Sequence, residues 1–482
     1  VTEKHRNSAS RSTQVHPFLP DDTLLVIDIS LSQRIIAYFC TKVVPLSCGH
    51  GFISPGFMAK SQGERGSAEM VRTNGTAEHP ALANSGEILS LIATGAATSR
   101  SALLDASGLS RVTVTQRLNA LIDSGLIRET ARTMPSGGRP TRVLGINERA
   151  GFFLVANIGE TYIHLAAMDL EPAIVSQSTI PFNASDGPAA SLEQIADGFD
   201  ILAAKARTSH GSLFGVSLSM PTPVDFKRGR VVGPSVLHGW DEFDIISWLR
   251  RRFDVPIYVE NDVNLMAIHE HRQNFPHVDD MFFIKAGTGI GSGIIAGGKI
   301  FRGAQGAAGD IGHIQFNSEN APLCRCGKLG CVEARAGGWA IARDLSSKGF
   351  KAENARDVIS LVEMQKPEAL MLLRSAGRVI GEVASDVVSI LNPNLIVVGG
   401  TLAKGGEFLL SGIRELVYQR CLPLATRELQ IVLANPQKDS ALFGAAYLAL
   451  EDIFSLGKVE ELIDRLAIDR ANPLSQSSTI SG

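Results

Sequence analysis

His313 and the run Cys324-Arg325-Cys326-Gly327-Lys328-Leu329-Gly330-Cys331 put one imidazole and three thiols into a single short stretch of chain. Three thiolates and an imidazole complete the tetrahedral shell of a zinc ion. Gly327 and Gly330 permit the tight loop that gathers the sulfurs. Buried thiols or a redox pair are the alternatives, but this density in a chain read as cytosolic favours a metal. A closed shell of His313, Cys324, Cys326 and Cys331 leaves no open position, so the zinc is expected to be structural. The other cysteines, Cys40, Cys48 and Cys421, are scattered, and six in all are too few for a disulfide scaffold in 482 residues.

Around this loop, from Gly151 to about Leu450, strand-like and helix-like segments alternate. Strands are expected at 153–158, 213–220, 256–259, 281–286, 293–296 and 395–398, and helices at 191–208, 334–347 and 367–391. This alternation defines an α/β domain with ligand loops at its strand ends. Two of those loops carry chemistry. Glu260-Asn261-Asp262-Val263-Asn264 follows a strand, where Asp262 is placed to act as general base on a hydroxyl and Asn261 to fix the substrate. Gly287-Thr288-Gly289-Ile290-Gly291-Ser292-Gly293 is a glycine-rich turn whose backbone can cradle phosphate. It also fits a dinucleotide fingerprint, but a strand follows it rather than a helix. A hairpin is therefore expected, with or without a phosphate.

Upstream, Ser85 to Ile146 reads as three helices and a hairpin. Ile88, Leu91 and Ile92 share one face of the first helix. Arg100 to Ala106 form the second, closed by Gly108. Ser110 caps a third, whose stripe is Val114, Leu118, Leu121 and Ile122. Two strands then flank the turn 135–140. This is the pattern of a winged helix-turn-helix. Residues 100 to 142 hold seven arginines against three acids, a surplus of four in a chain of net charge −3. The local excess suits phosphate contacts. Arg111, Thr113, Gln116 and Arg117 are expected to face base edges, with Arg139 and Arg142 on the wing.

The composition, 44% apolar and 20% charged, is that of globular domains and leaves no room for wholesale disorder. The net charge rules out a globally basic nucleic-acid binder. The lack of an apolar run of about 18 residues speaks against a spanning helix and a membrane partner. Val1 to Pro20 lacks the apolar core of a secretory leader, so a cytoplasmic location is expected. Residues 1–83, rich in Ser, Thr, Gly, His and Pro, read as a disordered extension.

Four stretches together resemble the ROK family of sugar kinases and repressors. They are Ala308-Gly309-Asp310-Ile311-Gly312-His313, the cysteine loop through Cys331-Val332-Glu333, Glu260-Asn261-Asp262, and Leu391-Asn392-Pro393-Asn394-Leu395-Ile396-Val397-Val398-Gly399-Gly400. The resemblance spans about residues 84–450, and with a winged helix in front the chain resembles members such as the xylose, glucose and N-acetylglucosamine repressors. It implies a two-lobed, actin-like sugar-kinase fold behind the winged helix, and a homodimer or homotetramer. The expected divisions are 1–83, a winged helix at 84–148, the sugar-binding domain at 149–454, and a C-terminal helix and tail at 455–482. It also implies that Asn261, Asp262, His313 and Glu333 hold sugar hydroxyls, with Asp310 where the family usually has Glu.

In the family's kinases the first strand turn reads Asp-x-Gly-Gly-Thr; here it is Asn157-Ile158-Gly159-Glu160-Thr161. An amide replaces the metal-facing carboxylate and Glu160 brings negative charge towards the phosphates, which should hurt ATP use. The expected function is a sugar-responsive regulator, a repressor of carbohydrate genes, with operator DNA and a sugar effector as partners. The alternative is an active sugar kinase with Asp262 as catalytic base and Gly287, Thr288, Gly289 and Gly291 on the phosphate.

Overall fold

The computed structural model describes residues 85–134, 141–233, 237, 239–316, 320–436, 439–455 and 457–471. The extension 1–83, the wing turn with Arg139, and the end of the tail lie outside the described residues.

Two five-stranded mixed sheets organise the chain behind residue 150. The first contains β3 (Gly151–Ile158), β4 (Tyr162–Asp169), β5 (Ile174–Pro181), β6 (Ser212–Met220) and β9 (Ile257–Asn261) in the order β5-β4-β3-β6-β9, with a short antiparallel pair, β7 (Val224–Asp225) and β8 (Arg230–Val231), between β6 and β9 in the chain. The second contains β10 (Met281–Ala286), β11 (Ile290–Ala296), β12 (Lys299–Ile300), β13 (Leu395–Gly399) and β14 (Gln430–Leu433) in the order β12-β11-β10-β13-β14. In each, an antiparallel meander is extended by two parallel strands. The two sheets therefore repeat one topology, which no sequence repeat announced.

Parallel pairing buries both faces of a strand, and the central strands are apolar accordingly. Leu395–Gly399 is buried at every position and Ser212–Met220 at all but the first. The expected strands all form, and the expected 367–391 helix spans those residues. The strands Tyr162–Asp169 and Ile174–Pro181, and the helix Asp262–Asn274, were not anticipated. That helix carries His269, Glu270 and His271 in buried positions, so its polar residues do not mark a solvent face.

The expected 334–347 helix is two helices, Val332–Ala336 and Gly338–Ser347, broken at Gly337. A Cβ at Gly337 would stand 2.7 Å from the Glu333 carbonyl oxygen and 3.0 Å from that of Thr288. The break lets the glycine turn approach. Gly338 N–H donates to Gly287 O at 2.8 Å and Trp339 N–H to Thr288 O at 3.2 Å.

Ahead of the sheets lie helices Ser85–Ala93, Arg100–Ser107 and Arg111–Asp123, then the antiparallel hairpin β1 (Ile127–Met134) and β2 (Thr141–Ile146). Ser99 and Ser110 cap the second and third helices, their hydroxyls accepting from Ala102 N–H and Thr113 N–H. Each cap is worth about 1 kcal/mol. Val114, Leu118 and Leu121 are buried and Ile122 partly so. The helices share one apolar cluster with the first sheet and with helix Ser440–Ile453. The tail helix, Lys458–Ala471, is part of the same packing. Its Val459, Leu462, Ile463 and Leu466 join Ile88 and Leu89, and Glu460 Oε1 accepts from Ser85 N–H at 2.9 Å. The tail thus joins the first helix to the body of the protein.

Candidate functional site

The β10–β11 hairpin is the centre of the site. Its turn, Gly287-Thr288-Gly289, closes with Gly287 N–H donating to Gly289 O at 3.0 Å, and Gly291 lies within β11. The turn is therefore a hairpin, as its strand context implies. On one side Lys285, in β10, pairs its ammonium with the carboxylate of Asp262. On the other, the amide of Ile290 donates to Glu333 Oε2 at 3.1 Å. Ile290 stands opposite Ala286 in the register, one residue from Lys285. One hairpin thus brings the Asp262 and Glu333 loops to the same turn.

Asn261 is the N-cap of helix Asp262–Asn274. Its Oδ1 accepts from Val263 N–H at 3.0 Å and Asn264 N–H at 3.4 Å, and its Nδ2 donates to Thr222 O at 3.0 Å. Much of its capacity holds the backbone, and one amide hydrogen remains for other work. Beneath it, Glu260 is buried and accepts from Arg302 Nε at 2.5 Å, Asn264 Nδ2 at 2.9 Å and Asn261 N–H at 2.9 Å. The Arg302 guanidinium also covers the Phe226 ring at 3.9 Å. Lys285 and Arg302 went unnoticed in the sequence, where nothing marks a lone lysine on an otherwise apolar strand as a partner of Asp262 or a loop arginine as a partner of Glu260.

Asp310 is exposed at the start of the short turn Ile311–His313. That turn packs on β11: a Cβ at Gly312 would lie 2.1 Å from Ile290 O and 3.8 Å from Glu333 Cβ. Asp310, His313 and Glu333 therefore belong to one neighbourhood beside the hairpin. Trp240 is fully buried in the core of the first sheet. At the first strand turn, Asn157 Oδ1 accepts from Ser219 Oγ at 2.7 Å, and Glu160 is exposed.

The cysteine loop gathers its four candidate donors into one cluster. The donor atoms of His313, Cys324, Cys326 and Cys331 all lie within 4.8 Å of one another. Cys326 Sγ and Cys331 Sγ are 3.7 Å apart, and Cys324 Sγ is 3.8 Å from His313 Nδ1. A tetrahedron with metal–sulfur bonds of about 2.3 Å has sulfur–sulfur edges of about 3.8 Å. The group can hold a metal ion. Burial, reinforced by its neighbouring thiols, pushes the Cys331 thiol up to about 12, and burial raises that of Cys324. Three clustered thiolates need a cation to offset their mutual repulsion.

On the third N-terminal helix, Arg111 and Gln116 are exposed and Thr113 is half-buried, its hydroxyl bonded to Ser110 Oγ at 2.8 Å. Arg117 departs from expectation. It is buried and turns inward to Glu87 of the first helix, Nη1 to Oε2 at 3.8 Å. Three residues after Val114, it shares that residue's inward face. Arg142, on β2, is exposed and paired with Glu129 at 3.3 Å.

Residues 154–452 match the ROK family, and the chain belongs to it. A xylose repressor from Bacillus spizizenii is 25% identical over 75% of this chain and 93% of its own. A glucokinase from Halalkalibacterium halodurans is 29% identical over 64% of this chain and 98% of its own. Among solved structures, a ROK family transcriptional regulator described as a homologue of the Escherichia coli MLC protein superposes with a TM-score of 0.70. It is 22% identical and covers 80% of this chain and 100% of its own. The body of the protein is thus a ROK sugar-kinase-like α/β fold. No single helix among the described residues is long and apolar enough to cross a membrane.

Proposed function

We propose that this chain is a sugar-responsive DNA-binding transcriptional regulator, a repressor of carbohydrate genes. The observation that carries this reading is the helical module with exposed Arg111 and Gln116, packed into one apolar cluster with the body of a ROK fold. The shares of chain matched support it. The xylose repressor's match spans 75% of the chain and the glucokinase's 64%, so the repressor shares more than the kinase-like body.

In this reading residues 84–148 are a winged helix-turn-helix. Arg111, Thr113 and Gln116 read base edges, Arg142 and Arg139 track phosphate, and Arg117 holds the helix in place. A homodimer or homotetramer sets two such helices on a palindromic operator. A monosaccharide binds beside the β10–β11 hairpin, with Asp262, Glu333 and His313 accepting or donating to its hydroxyls and Asn261 and Asp310 at the edge. A structural zinc ion is held by His313, Cys324, Cys326 and Cys331. It shapes the loop that leads directly into Glu333.

The kinase reading ranks second. Asp262 stands where a base is needed, but its carboxylate is engaged by Lys285, and Asn157 offers an amide bonded to Ser219 in place of a carboxylate for a metal ion. The test is an ADP-release assay over hexoses, pentoses and amino sugars, run beside selection of bound DNA from a random pool. Enrichment of a palindromic site with no turnover supports the regulator. Turnover abolished by Asp262→Ala, with no site enriched, supports the kinase.

A further inference from the structure

We propose that Trp339 is a positioning residue of the sugar cleft, fixing the Glu333 carboxylate and tying it to the cysteine loop. The inference rests on the reading above that Glu333 holds a sugar hydroxyl.

Glu333 has one directed donor on each oxygen. Ile290 N–H reaches Oε2 at 3.1 Å, and the indole Nε1–H of Trp339 reaches Oε1 at 3.2 Å. Each carboxylate oxygen has two lone-pair sites, so this leaves acceptor capacity for a ligand while removing the freedom of the side chain to rotate. A carboxylate ordered beforehand loses less entropy when the ligand arrives.

Trp339 is itself held from three directions. Its backbone N–H donates to Thr288 O at 3.2 Å, in the glycine turn. The Arg343 guanidinium lies 5.3 Å from the ring centroid and also donates to Ala334 O at 3.3 Å. The Arg325 guanidinium lies 4.8 Å from the same centroid. Arg325 stands between Cys324 and Cys326, and Trp339 packs with the cysteines and Ala334 in one small apolar group. Two cations beside an indole draw on its π electrons and leave its N–H a stronger donor. The ring therefore joins the cysteine loop, through Arg325, to the glycine turn and to Glu333. A phenylalanine would keep the packing and the cation contacts but lack the N–H.

The test uses the full chain labelled with 15N at its three tryptophans, Trp240, Trp248 and Trp339. Trp339→Phe identifies the Trp339 indole resonance by its loss, and Trp248→Phe checks the assignment. Glu333→Gln, with Trp339 intact, should move that resonance upfield, since a charged acceptor gives way to a weaker one. Titration calorimetry with D-xylose, D-glucose and N-acetyl-D-glucosamine should show Trp339→Phe weakening the sugar that binds wild type roughly tenfold. Zinc content and operator affinity should stay at the wild-type level. An indole resonance indifferent to Glu333→Gln, or sugar affinity in Trp339→Phe within about twofold of wild type, would overturn the proposal. If wild type binds none of the three sugars, the functional reading fails, and the response to Glu333→Gln still decides whether Trp339 positions that carboxylate.

Discussion

Lys285, in the strand that leads into the glycine turn, sets its ammonium against the carboxylate of Asp262, the first residue of helix Asp262–Asn274. The pair is a linked donor and acceptor, and a hydroxyl can bond to both at once. The carboxylate side chain is 13% exposed and the lysine 29%, so neither charge is fully hydrated.

Breaking this pair from one side should therefore be felt in stability. Lys285→Met leaves a half-buried carboxylate without its cation and is expected to cost roughly 1–2 kcal/mol, below a fully buried pair because water still reaches the lysine. The double variant Lys285→Met, Asp262→Asn should recover most of that loss. Urea unfolding of the two variants and wild type measures the difference. Equal destabilisation of single and double variants would show that the charges are not coupled.

A second expectation concerns the cysteine loop. One equivalent of zinc should accompany the purified, reduced protein, and Cys326→Ser should release it and weaken sugar binding, because Cys331 is two residues from Glu333. Elemental analysis of fresh protein checks the stoichiometry. Fresh, reduced protein free of zinc would show that the cysteine loop holds no resident metal.

The third N-terminal helix, Arg111–Asp123, makes a sharper distinction. Arg111→Ala and Gln116→Ala should each reduce discrimination between operator and scrambled DNA by about 1–3 kcal/mol, the range of a good bidentate base contact. Arg117→Ala should instead lower the melting temperature and weaken operator and scrambled DNA alike, since Arg117 is buried against Glu87. Anisotropy titrations on the two DNAs, beside thermal melts, separate the outcomes.

Buried histidine sets a pH dependence. Burial pulls His269 down to about 4, where it packs on Phe443 with ring centroids 5.5 Å apart. The unfolded chain binds this proton more readily. The contribution is thus fully present above about pH 6.5 and declines as pH falls towards 4, by up to about 1.4 kcal/mol per pH unit. Neighbouring Glu270, raised by burial, acts in the opposite sense, losing its contribution as pH rises through its folded value. His269→Phe isolates the histidine: its stability should vary less between pH 6.5 and 4 than that of wild type. Parallel stability–pH curves for the two proteins would contradict this.

Much of this arrangement was legible in the sequence because it rests on local signals. Ser110 capping a helix, the β-branched run at Leu395–Gly399 and the spacing of Cys324, Cys326 and Cys331 each imply their structure within a few residues. The rest depends on long-range packing. Arg117 sits at a position that reads as solvent-facing until Glu87 is brought beside it. The helix break at Gly337 exists because the glycine turn, some fifty positions earlier, needs the space. Lys285 and Trp339 look like an ordinary strand lysine and a core aromatic, and only the hairpin makes them partners of Asp262 and Glu333. His269-Glu270-His271 disguised a helix, since a segment buried on several faces shows no amphipathic period.

A sugar bound beside the β10–β11 hairpin should change the affinity for operator. The direct measurement is the operator dissociation constant of the full chain, with and without saturating sugar, for wild type and Glu333→Gln. Wild type should show a shift of roughly 5–150-fold, the usual span of coupling between two sites, and Glu333→Gln should lose it with operator affinity otherwise intact. A sugar that calorimetry shows bound to wild type, yet that leaves operator affinity unchanged, would contradict it.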